Sequence, residues 1–188
     1  DHCALIVNPA QADPDGDGYG DACDAGDGTD VDADTLDNEA DKAWENCRGI
    51  GYSFAYNRLE DESHYLTGYQ IARMLTDIVS RGGHFLLNVG PKADGTLPAL
   101  QHQALEDLGS WMHAGNKEVL YGSRTTPMDD VTAPEGVWVR GIETDGKRRL
   151  FVDIEDADPS AAATARLTVE GEHWSVPLPA GRKGPVLV

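Results

Sequence analysis

Two stretches hold side chains whose types and spacing could do chemistry. The first is "DPDGDGYGDACD", which places carboxylates at Asp13, Asp15, Asp17, Asp21 and Asp24. Counted from Asp13, these are positions 1, 3, 5, 9 and 12 of a calcium-binding loop, with Gly18 at position 6 and the Tyr19 carbonyl available at position 7. Calcium is a hard ion that takes six to eight oxygens, and alternate Asp residues around a tight glycine turn supply them. Asp rather than Glu at position 12 departs from the helix-flanked loop, and no amphipathic helix flanks this one. The competing reading is a solvated acidic linker. The second stretch is "CRGIGYSFAYNRLED", Cys47 to Asp61, in which Tyr52, Phe54 and Tyr56 lie between Arg48 and Glu60, and which as a whole keeps no clear period of 2 or 3.6. A segment that is neither a good helix nor a good strand is kept when its side chains face something, so this one is a candidate ligand-facing loop.

Charge is unevenly placed. The net charge is -18, and residues 1–41 alone carry 13 Asp or Glu with no Lys or Arg. That segment is a poor partner for nucleic acid or an anionic membrane, and acid at this density is either disordered or neutralised by cations. The rest of the chain carries 20 acids against 15 bases. No apolar run approaches the ~18 residues of a membrane span, and no targeting leader is visible. The ends, "DHC" and "GPVLV", read as cuts through a larger protein. Cys3 and Cys23 flank the acidic stretch, and a bridge between them would suit an oxidising compartment. Cys47 is expected as a buried thiol.

The elements that must position the second stretch begin at Lys42. "AWENCRGIGYSF" reads as a short strand running into a loop. In "TGYQIARMLTDIVSRGG", Ile71, Met74, Leu75, Ile78 and Val79 recur at helical spacing, Thr67 is the predicted N-cap and Gly82-Gly83 the stop. "HFLLNVG" is expected as a strand buried on both faces, and a second helix starts near Pro98 with Ala104, Leu105, Leu108, Trp111 and Met112 on one face. Strand, loop, helix, strand, loop, helix is the pattern of parallel α/β units, whose chemistry sits on the loops after the strands. These few units cannot close a barrel of eight and would expose apolar strand edges unless other chain covers them. After Tyr121, "GVWVRGIE", "RRLFVDIE", "ARLTVEGE" and "HWSVPL" read as an antiparallel β-domain, the first strands of a sandwich that continues past Val188. The expected fold is therefore α/β: an irregular calcium-binding repeat and acidic linker at 1–41, the last strand-helix units of a TIM-like (β/α) barrel at 42–124, and a partial antiparallel β-sandwich at 125–188.

Two resemblances sharpen this. "DHCALIVNPAQADPDGDGYGDACD", residues 1–24, resembles a thrombospondin type 3 repeat, which implies an extracellular or periplasmic setting and a structural calcium ion. "WENCRGIGYSFAYNRLED", "MLTDIVSRGGHFLLNVGPKADGTLP" and "LGSWMHAGNKEVLYGSR" resemble, in that order, the family 29 glycoside hydrolases, the α-L-fucosidases. That resemblance runs from about Ala43 to Arg124 and more weakly into the β-domain. It implies a retaining hydrolase that removes terminal fucose from glycans, with no cofactor for catalysis. Carried over residue by residue, it casts Glu60 as the general acid/base and Arg48 and His84 as sugar contacts, with Trp44 and Glu45 as supporting structure. A retaining glycosidase needs two carboxyl groups ~5–5.5 Å apart. Glu60 could serve as the acid if burial among Tyr52, Phe54 and Tyr56 raises its pKa, and those rings could carry the apolar face of a deoxy sugar. Without the resemblance, Glu60 reads as a surface acid, Arg48 as an ion-pair partner, His84 as a polar cap and Asn88 as a bond to loop backbone.

The resemblance also implies a gap. The family's nucleophile is an Asp on an earlier strand, and none of the Asp residues in 1–41 lies in such a context. The expectation is a fragment of a secreted α-L-fucosidase that turns over no fucoside alone. The alternatives are a calcium-binding spacer or adhesion module fused to an inactive remnant, and an artefactual join of two genes.

Overall fold

The computed structural model describes residues 44–188, so the expected calcium ligands Asp13, Asp15, Asp17, Tyr19, Asp21 and Asp24 lie outside the described residues. From Trp44 the chain enters β1 (Glu45–Gly49), which pairs in parallel with β2 (His84–Asn88). The crossover between them is α1 (Gly68–Ser80). Thr67 opens it: its hydroxyl accepts the Gln70 N–H, and the Gln70 side chain accepts the Thr67 N–H in return. This reciprocal cap satisfies two donors that a bare helix start leaves orphaned. The helix stops where Gly82 takes φ 79°, a left-handed conformation that carries no penalty without a Cβ. Behind Pro98 runs α2 (Ala99–Trp111), and Gly115, at φ 99°, breaks the chain before α3 (Lys117–Leu120).

α1 and α2 cover one face of the β1–β2 pair, where Ile50, Ile71 and Ala104 pack with Phe85 and Leu87. The opposite face is open. Glu45, Cys47 and His84 are exposed and Leu86 keeps 50 % of its surface accessible. The sequence expectation of a strand buried on both faces therefore does not hold for β2 within the described residues. It has one neighbouring strand and one covered face, and strand alternation sends every second side chain to the uncovered side. For the same reason Cys47, expected as a buried thiol, is exposed.

The remaining chain is β-rich: β3 (Arg124–Thr125), β4 (Val131–Thr132), β5 (Val137–Thr144), β6 (Lys147–Ile154), β7 (Ala163–Val169), β8 (Glu172–Leu178) and β9 (Val186–Leu187). They form two antiparallel sheets, ordered β3-β5-β6-β9 and β4-β7-β8. Two-residue turns join β5 to β6 through Asp145-Gly146 and β7 to β8 through Glu170-Gly171, all four residues at positive φ as a tight hairpin requires. β6 is buried on both sides. Leu150 and Val152 pack against Ala165, Leu167, Val176 and Leu178 of the second sheet. Phe151 turns the other way and joins Ala72, Trp111 and Leu120 of the helical layer.

A polar stripe pins that helical layer to the sheet. Tyr69, Arg73 and Asp77 follow one another at i, i+4 along α1 and so share a face. The Tyr69 hydroxyl donates to Asp153 Oδ1 at 2.5 Å, Arg73 Nη2 donates to Glu155 Oε1 at 3.1 Å and Arg140 Nε donates to Asp77 Oδ1 at 2.5 Å. The Arg73 and Arg140 guanidinium groups each lie 5.0 Å from the Trp138 ring centre. Asp153 is fully buried, with Arg182 Nη2 3.6 Å from Oδ1. Burial and the bond to Asp153 push the Tyr69 phenol up to about 12. Among the described residues, no helix is long and apolar enough to cross a membrane.

Candidate active site

β1 delivers the candidate loop to the end of the parallel pair. Ile50, buried, donates its N–H to Asn88 O at 3.0 Å and accepts the Leu66 N–H at 2.8 Å, so both ends of the loop are fastened to one residue. Between them the chain folds on itself. Asn57 Nδ2 donates to Ser53 Oγ at 3.2 Å, and the Glu60 N–H donates to Asn57 O at 3.2 Å. Asn88 Nδ2 then donates to Phe54 O at 2.6 Å, which is the loop-backbone bond the sequence suggested for it. Gly90 is compressed against the same loop: a Cβ there would stand 2.6 Å from Tyr56 N, a distance that forces something to move.

Glu60 is held inside this fold. Its Oε1 accepts the Ser53 N–H at 2.7 Å, while Oε2 is buried and accepts no hydrogen bond. Oε2 occupies the space where Gly51 would carry a side chain, 2.3 Å from an ideal Cβ, and the Tyr65 ring edge stands 3.1 Å from that same point. Any larger residue at 51 displaces the carboxylate. The carboxyl lies below its ordinary value of 4.5: burial raises it, but the Ser53 donors, the adjacent Tyr65 phenol and the nearby His64 outweigh that. The rings expected to bury it do not, since Tyr52, Phe54 and Tyr56 are 72 %, 59 % and 43 % exposed. Glu60 is thus an ionised, oriented carboxylate here, and the elevated pKa of a resting proton donor is not present. Asp61 caps the turn Glu62–His64, accepting the Ser63 N–H at 2.9 Å, and the His64 ring packs edge-on against Tyr52 at 5.2 Å.

Arg48 is exposed near the end of β1, opposite Leu87, and makes no ion pair among the described residues. His84 is exposed at the start of β2, opposite Glu45. The register separates them by three residues, about 10 Å of strand, so they do not form a cluster with each other. Trp44 acts as support: its Nε1 donates to Arg81 O at 3.3 Å, and its ring fills the space beside Gly83. Among the described residues, no group of three His, Cys, Asp or Glu side chains is placed to hold a metal. Sequence reasoning missed Gly51, Ser53, Tyr65 and Gln101 as the groups around Glu60. Only the "GIG" run hinted at a close backbone approach.

Residues 12–117 match the α-L-fucosidase family. An α-L-fucosidase of Dictyostelium discoideum is 36 % identical over 109 residues, 58 % of this chain and 23 % of that protein. The plasma α-L-fucosidase of Homo sapiens is 36 % identical over 96 residues, 50 % of this chain and 20 % of that one. The chain thus spans about a fifth to a quarter of the length of these curated relatives. Among solved structures, a Thermotoga maritima α-fucosidase in complex with fucose superposes with a TM-score of 0.54 at 29 % identity, covering 73 % of this chain and 36 % of its own. A Thermotoga maritima α-L-fucosynthase in complex with α-L-Fuc-(1-2)-β-L-Fuc-N3 gives 0.53 at 37 % identity, over 70 % and 32 %.

Proposed function

The chain belongs to the α-L-fucosidase family, and we propose that it supplies the proton-transferring part of a site that hydrolyses terminal α-L-fucosides on glycans. One observation carries the reading: after a parallel strand, a glutamate is fixed with one oxygen on a backbone N–H and the other buried and unbonded. In a retaining hydrolysis such a group gives its proton to the leaving oxygen as the sugar passes to a carboxylate nucleophile. It then takes a proton from the water that releases the sugar. The nucleophile belongs to the part of the family's length that this chain does not span. Glu60 is ionised here because the groups on Ser53 and Tyr65 and the nearby His64 outweigh its burial. Chain and sugar laid over the exposed rings would exclude water and raise its pKa toward the working range. The open face of β1–β2 fits a barrel whose other strands lie outside the described residues. Arg48, near the strand end, can donate to ring hydroxyls. His84, at the strand start, has only the resemblance behind it.

To test this, the chain is fused to the portion of a plasma α-L-fucosidase that the match leaves uncovered, and hydrolysis of an aryl α-L-fucoside is followed. Glu60→Gln is expected to lower kcat/KM about 10²- to 10⁴-fold, and a variant as active as the parent contradicts the role. For the acidic segment, the spacing from Asp13 to Asp24 supports calcium binding in an extracellular or periplasmic protein. Titration calorimetry should give heat that Asp15→Ala with Asp17→Ala abolishes, and the absence of heat from the parent contradicts it. A calcium-binding spacer fused to an inactive remnant has no observation in its favour.

A further inference from the structure

We propose that Tyr65 is the positioning residue for Glu60, its phenol closing onto the buried, unbonded Oε2 while Gln101 of α2 fixes the phenol from behind. Three observations carry this. Glu60 Oε2 and the Tyr65 ring edge converge on one point over Gly51, and Oε2 has lost its water without gaining a donor. Such an oxygen is costly to leave unmade, and the group beside it with a hydrogen to give is the phenol. Tyr65 itself is packed against Ile50, Ile71 and Ala104, and the next residue is bonded to Ile50 O, so its ring has little freedom to leave.

Gln101 is 2 % exposed, and its Oε1 accepts the Gly90 N–H at 2.9 Å. That bond orients the amide so that its remaining function is donation, through Nε2. Burial first, then the Glu60 charge, raises the Tyr65 phenol above 10.0, while Gln101 acts the other way. This pattern belongs to a phenol set between an amide donor and a carboxylate, and it keeps the phenol protonated at neutral pH. The ionisable groups facing the pair are His64 on the Glu60 side and Tyr56 on the Tyr65 side. The chain Gly90, Gln101, Tyr65, Glu60 thereby ties the loop after β2 to the candidate proton donor.

This rests on the reading of Glu60 given above, but its test needs no turnover. Glutamate carboxyls labelled with ¹³C in the full chain are titrated by NMR, with Glu60 assigned by Glu60→Gln. Tyr65→Phe should move the Glu60 midpoint up by about 1 unit, the loss of one hydrogen bond to a charged group. Placing 3-fluorotyrosine at 65, a stronger donor of nearly the same size, should move it down, and this arm stands even if Tyr65→Phe unfolds the chain. A midpoint unchanged in the folded variant, or by the fluorinated ring, overturns the proposal. Failed hydrolysis with the shifts intact would instead overturn the role of Glu60 and leave the positioning contact standing.

Discussion

β2, "HFLLN", and β6, centred on "LFVD", look alike as sequence, each a short apolar run that suits a buried strand. They end in opposite environments. In β6 Leu150, Phe151, Val152 and Asp153 are all buried, because β5 and β9 flank it, a second sheet covers one face and the helical layer covers the other. In β2 Leu86 stays half exposed, because among the described residues only β1 flanks it and only α1 and α2 cover it. An apolar run records what a strand is built to touch, and the partner for the open face of β2 is not among the described residues. The two halves also differ in what fills their polar positions. The β6 side is sealed with ion pairs and hydrogen bonds to α1, whereas the β2 side leads to a loop with an unbonded carboxylate oxygen.

The largest effect should come from Phe151→Ala, which opens a cavity between sheet and helices and is expected to cost about 3–5 kcal/mol in urea unfolding. Next is Tyr69→Phe, expected to cost about 1.5–3 kcal/mol because it strips a donor from the buried Asp153 carboxylate. Its pH signature follows from a phenol raised from 10.0 to about 12. The unfolded chain ionises first, so the stability tied to Tyr69 is complete below pH 10 and lost as pH climbs toward 12. Tyr69→Phe should remove the last phenolate step from an absorbance titration. At the acid end, Glu60, Asp61, Asp94, Asp130 and Asp158 are all lowered by their donors. Their contribution is present above the ordinary values of 4.5 and 3.8 and disappears as pH falls through the lowered ones, so acid should unfold the chain there. The smallest effect belongs to the open face, where Leu86→Ala should change stability by under about 0.5 kcal/mol. A cost near that of Phe151→Ala would erase the contrast between the two strands.

The sequence made some of this legible. Thr67 and Gly82 bracket α1 because caps are local chemistry written in consecutive residues, and the strands of the β-domain follow from alternation and tight turns. Arg48 and Glu60 could be singled out by type and by resemblance. The surroundings of Glu60 were out of reach, because Ser53, Tyr65 and Gln101 approach it through folding and share no period with it. The bond between Tyr69 and Asp153 spans 84 residues and is equally invisible to local pattern. The aromatic loop misled in one respect. Three rings in ten residues suggest burial, yet they are exposed and the nearby donors lower the pKa of Glu60 instead.

The central claim is that Glu60 handles the proton in fucoside cleavage, and chemical rescue tests it most directly. In the fused protein, Glu60→Ala should hydrolyse an activated aryl α-L-fucoside slowly, and added azide should accelerate it with fucosyl azide as product, because azide needs no general base. Full activity without azide, or a loss that azide leaves unchanged, would contradict it.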